Sequence, residues 1–127
     1  MRRAIIPRQS PPLRHQAQWL LVRYRLDASD SVALGIILYV PATETLYFRF
    51  QQNFGFIRPE DIEIVAEMGR MFEQLAVELG AATTFAWMES SLSNTVFAEG
   101  PFEVMVGASP EEALSELYER HMTTFPD

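Results

Sequence analysis

The sequence predicts an α+β domain: a mainly antiparallel sheet with two or three helices packed on it. Three observations predict it. The first fifty residues hold three runs in which apolar side chains recur at every second position or continuously, as strands require. A single long stretch, residues 59–79, carries apolar side chains at spacings of three and four instead. The breaks between the first three runs are only a few residues long, which favours neighbouring antiparallel strands.

The first strand is expected over Ala17–Leu26. Leu20, Val22, Tyr24 and Leu26 fall on one parity, opposite Trp19, Leu21, Arg23 and Arg25, which reads as a strand with one buried face. The link Asp27-Ala28-Ser29-Asp30 is turn chemistry, since short polar side chains bond their own backbone. Ser31–Val40 is apolar on both parities and therefore reads as a strand covered on both faces, with Gly35 marking a bulge or a close backbone approach. After Pro41-Ala42-Thr43, Glu44–Phe50 resumes as a third strand. Leu46, Phe48 and Phe50 lie on one face and Tyr47 and Arg49 on the other, and a loop follows to Ile57.

The helix of residues 59–79 opens on Pro59, whose fixed φ suits the first helical position, with Glu60, Asp61 and Glu63 at the positive end of its dipole. Ile62, Val65, Met68, Phe72, Leu75 and Leu79 form the stripe that the sheet should receive, and Gly80 closes the helix. Residues 83–92 are expected as a short helix. Residues 95–98 and 102–106 are expected as two short strands of a hairpin turning at Glu99-Gly100-Pro101. A last helix should run from a capping box, Ser109 with Glu112, to about Met122, placing Leu114, Leu117, Tyr118 and His121 near one face.

Residues 1–16 stand apart. Pro7, Pro11 and Pro12 interrupt any periodicity, so they read as an extended arm preceding a single domain of residues 17–127. Charge is also divided, with the boundary ten residues further on, at the end of the first strand. Residues 1–26 hold six arginines and no acid, whereas the rest hold four arginines and all seventeen acids, for a net charge of −7. Such an arm is expected either to stay solvated and mobile or to lie on the acidic body of its own or a neighbouring subunit, ahead of contact with nucleic acid, whose phosphates that body repels.

Composition excludes several chemistries. Apolar residues make up 48% and charged residues 21%, ordinary values for a globular domain. No apolar run approaches the length of a membrane span, and no secretory leader is evident, so a cytoplasmic protein is expected. Without cysteine there is no disulfide, thiolate metal site or cysteine nucleophile. Without lysine there is neither a Walker-type phosphate contact nor a Schiff base, and the six glycines form no phosphate-binding run. His15 and His121 have no partners at ligand spacing, and Glu111, Glu112, Glu116 and Glu119 read as a solvated helix face, so neither metal nor other cofactor is expected. Ser90, Ser91 and Ser93, beside Asn94, lack a nucleophile elbow, and Leu92-Ser93-Asn94 reads as a turn after the helix.

Two groups exceed what structure alone asks for. Arg23 and Arg25 share a parity on the first strand, and Arg49 sits comparably on the third. If they share a sheet face, they either pair with nearby acids or hold a carboxylate or phosphate. Phe54 and Phe56 flank Gly55 in a loop, where the rings either plug the core edge or offer a patch to a partner.

The run LVRYRLDASDSVALGIILYVP resembles the opening of a small bacterial family known as domain of unknown function 3037 (DUF3037). Val22-Arg23-Tyr24, then Asp30, then Gly35-Ile36-Ile37-Leu38 match that family's first two strands, and SLSNTVFAEGPFEVMVGASPEEALSELYER resembles its closing strand and helix. The likeness spans about residues 18 to 122, although this chain has Ala33 and Leu34 where members usually carry asparagine before the glycine. It implies a bacterial protein without established activity. Because some members are encoded beside kinases resembling persister-type toxins, it also implies a partner-binding role, and it carries over no catalytic residue. The leading expectation is a non-enzymatic interaction module that binds a protein partner or itself, for instance as a homodimer. The alternatives are a binder or enzyme for a small anion using the arginine face, and a regulatory domain whose arm touches nucleic acid.

Overall fold

The computed structural model describes residues 14–52, 55–91 and 95–122. In chain order the elements are β1 (His15–Asp27), β2 (Asp30–Val40), a 3-10 turn (Pro41–Thr43), β3 (Thr45–Phe50), α1 (Pro59–Leu79), α2 (Ala81–Ser91), β4 (Val96–Val106) and α3 (Pro110–His121). The four strands form one antiparallel sheet in the order β3-β2-β1-β4. The α+β class is therefore as the sequence predicts.

The expected meander is present. Asp27 pairs with Asp30 across a two-residue tip, where the Ser29 amide donates to the Asp27 carboxylate at 2.9 Å. At the second turn Glu44 takes a left-handed conformation and donates its amide to the Pro41 carbonyl.

Both faces of the sheet are roofed, which corrects the expectation of a single buried face on β1. Leu20, Val22 and Tyr24 pack with Leu34, Ile37, Val65, Met68, Phe72, Phe85 and Met88 beneath α1 and α2. Ala17, Trp19 and Leu21 pack with Ile36, Leu38, Val106, Leu114 and Leu117 beneath α3. Trp19 and Leu21 are apolar on the supposedly outer parity because the last helix covers them. A three-layer arrangement results, with β1 and β2 in the middle.

Three further local readings are corrected. The later strands are not a hairpin: residues 96–106 are one strand paired along β1. Gly100-Pro101 forms a bulge there rather than a reversal, with Leu21 opposite Glu99 and Trp19 opposite Phe102. Gly100 has φ +117°, and a Cβ there would lie 2.9 Å from the Trp19 carbonyl, so glycine fits where the bulge crowds β1. The α1 stripe is buried at Val65, Met68 and Phe72, but Ile62 and Leu79 at its ends are exposed. The Ser109 hydroxyl makes no cap bond; its nearest partner is the Glu111 carboxylate, while the Glu112 amide donates to the Ser109 carbonyl. Residues 81–91 are helical as expected, starting two residues sooner.

Gly35 is more tightly crowded than Gly100, the other glycine of the sheet. Between Val22 and Arg23 the β1–β2 register shifts and Leu34 is left without a counterpart on β1, which is a bulge. A Cβ on Gly35 would sit 2.2 Å from the Phe50 ring and 2.6 Å from the Arg49 carbonyl. The glycine predicted to mark a bulge or close approach marks both.

Candidate functional site

The sheet ends at β3, and among the described residues no strand pairs with its outer edge. Alternation turns Leu46, Phe48 and Phe50 toward α1, where Phe48 and Phe50 meet Phe72 at ring separations of 6.2 and 6.0 Å. Opposite these rings, α1 presents Val65, Ala66 and Gly69. With no side chain on Gly69, the helix stays clear of the Phe50 ring, since even a Cβ there would be 3.6 Å away. The result is a cleft of about 530 Å³ between strand edge and helix, floored by Phe48, Phe50 and Val65 and rimmed by Gln51, Gln52, Arg70 and Glu73.

The backbone at this edge is oriented as well. The Gln51 amide donates inward to the Leu34 carbonyl at 2.8 Å, next to the paired residues Arg49 and Ile36. Because alternate residues of an antiparallel strand bond to opposite neighbours, Phe48 and Phe50 direct their N–H and C=O groups away from β2. The residues whose rings floor the cleft thus also offer, along its open side, backbone that is unpaired among the described residues.

A polar latch fixes α1 over the sheet. The buried Tyr24 hydroxyl donates to Asp61 at 2.6 Å and accepts from the Arg58 amide at 3.2 Å. Arg58 bonds Asp61 and reaches the carbonyls of Leu26 and Arg25. Burial, followed by the bond to Asp61, raises the Tyr24 pKa, so the phenol keeps its proton. At the β2–β3 turn the Tyr39 phenol donates to Glu44; that bond, followed by burial, pushes its pKa up to about 12.

The predicted arginines share the α3 face of the sheet, where Arg23 pairs in register with Ala33 and Arg49 with Ile36. Their head groups take different partners. Arg23 bonds the Ser31 hydroxyl at 2.8 Å and lies 3.7 Å from Glu99. Arg25 stacks over Phe97 at 4.5 Å. Arg49, two strands away from β1, stacks over Tyr118 at 4.2 Å and bonds Ser115 at 3.1 Å. Phe56 packs toward Tyr24 at the core edge, while Phe54, Ser93, Asn94 and residues 1–13 of the arm lie outside the described residues. His15 and Gln16, assigned to the arm by sequence, begin β1.

His121 stands on Trp19 at 5.0 Å, and burial first, then Arg120 and Arg23, lower its pKa against the opposing pull of Glu99. Among the described residues no three His, Asp or Glu side chains are placed to share a metal ion.

Phe48, Phe50, Gly69, Arg70 and Glu73 were not singled out by sequence. The only available signals were the alternation of Phe48 and Phe50 and a glycine inside a strong helix.

Fold and cleft together define a two-roofed α+β domain with an open, helix-flanked strand edge. No family model, curated protein or solved structure matches the chain.

Proposed function

We propose that the protein is a non-enzymatic interaction module that takes up an extended polypeptide segment as an added strand on β3, beneath α1. One observation carries the reading: the same two residues, Phe48 and Phe50, supply both the apolar floor and the outward backbone groups. Strand addition needs both, since main-chain bonds give affinity and pockets for alternate side chains give selectivity. The anion reading has less support, because Arg23, Arg25 and Arg49 turn their head groups to separate neighbours. Kinship with the domain of unknown function 3037 family, and with it a toxin-like kinase as partner, joins this proposal on sequence pattern alone.

Selection of displayed random peptides on the full chain tests the module. Selected peptides should carry apolar residues at alternate positions and shift the amide resonances of Thr45–Phe50 and of Val65–Glu73. Gly69→Leu, which fills the cleft, should weaken them about tenfold or more, or about 1.4 kcal/mol. Peptides that map instead to the α3 face, or bind Gly69→Leu undiminished, overturn the reading.

A further inference from the structure

We infer that the cleft has an occupant within its own chain: residues 1–13, laid antiparallel along the free edge of β3. The inference rests on the cleft being a strand-addition site and names what fills it.

Topology sets where the arm starts. Gln18, Tyr39 and Leu46 lie in one row across β1, β2 and β3. The start of β1 is therefore at the sheet end where β2 turns into β3, and Gln16, Ala17 and Gln18 line one recess with Pro41 of that turn. From there β3 runs away toward Phe50. A chain traced back from Arg14 around the turn would follow β3 from Thr45 to Phe50, so its own direction is antiparallel.

Length permits this. Passing from β1 to a position outside β3 crosses three strand spacings, roughly 14 Å, which takes four or five extended residues. About eight residues then remain to lie beside the six of β3. The residues nearest β1, Gln9-Ser10-Pro11-Pro12-Leu13, are proline-rich connector chemistry, and Arg2-Arg3-Ala4-Ile5-Ile6-Pro7-Arg8 would form the strand. Ile5 and Ile6 are adjacent, so in an extended chain they face opposite sides, and one of them enters the cleft in either register. Pro7 is acceptable on an edge strand with its nitrogen toward solvent.

Charge favours the same placement. Residues 1–13 carry three arginines and no acid, whereas α1 carries six acids and one arginine, Arg70, which already pairs with Glu67. A foreign segment would then have to displace the arm, and the best competitor would be similarly extended, basic and aliphatic.

The chain has no cysteine, so introduced pairs report without background. Ile5→Cys and Ile6→Cys are each combined with Ala66→Cys on the cleft rim, and Ile5→Cys with Glu112→Cys on α3 serves as control. Under mild oxidation in the full chain, at least one Ala66 pair should close within a single molecule. The rate should not change on dilution and should be about tenfold or more above the control, as tethering to a specific site requires. Closure no faster than the control, or disulfides between molecules that speed up with concentration, overturn the inference. If it falls while displayed peptides still bind at β3 and α1, the cleft stands and only its resident is wrong. If the arm closes onto Ala66 but no displayed peptide binds there, the arm inference stands and the interaction-module reading fails.

Discussion

A single ionisable side chain gives the fold its clearest link to pH. His121 is half-buried against Trp19, and its pKa is lowered. A histidine whose pKa falls on folding binds fewer protons in the native state. Its contribution to stability is therefore present above the ordinary histidine pKa and is lost as pH falls through that value toward the folded one. Urea midpoints should drop between pH 7.5 and 5.5, and His121→Gln should flatten that drop; an equal slope in the variant would remove His121 as the cause. Other polar residues are held less favourably. The hydroxyl of Thr84, fully buried on α2, has no hydrogen-bond partner among the described residues. Tyr24, in contrast, is satisfied on both sides by Asp61 and the Arg58 amide. Tyr24 was legible in the sequence as a core position, but its latch was not. Arg58 and Asp61 meet it across more than thirty residues of chain, and no local pattern encodes such a meeting.

Among the elements, two glycines separate crowding from vacancy. Gly35→Ala would force a methyl group into the Phe50 ring and the Arg49 carbonyl, and should cost about 1–3 kcal/mol or more. Gly69→Ala meets only ordinary contact and should gain up to about 1 kcal/mol from helix propensity. Chemical denaturation of both variants checks the contrast, which requires opposite signs. The long helix and the first and third strands were readable because each carries its period in its own residues, and the second strand because its short apolar run lies between turn residues. The last strand was misread as a hairpin because Glu99-Gly100-Pro101 has the composition of a turn. Its true role depends on β1 running beside it without interruption. The cleft was hidden for a related reason, since it exists only where β3 and α1, nine residues apart in sequence, come together.

At the scale of the whole molecule, one sheet serves two cores. Trp19 lies buried under α3, and Trp87 is 38% exposed on α2 across the sheet. Because β1 and β2 contribute to both cores, the two roofs should be lost together. Single-tryptophan variants Trp19→Phe and Trp87→Phe should report coincident denaturant transitions; separated midpoints would show two cooperative units. Sharing a sheet in this way has a cost in specificity. Ile36, Ile37 and Leu38 are fully buried and point to alternate roofs, so β2 displaced by one position would still offer oil to both sides. Hydrophobicity alone does not tell the right alignment from the wrong one. The vacant spot at Gly35 does, since only there can the Phe50 ring sink against the backbone, as a pin drops into the one notch cut for it.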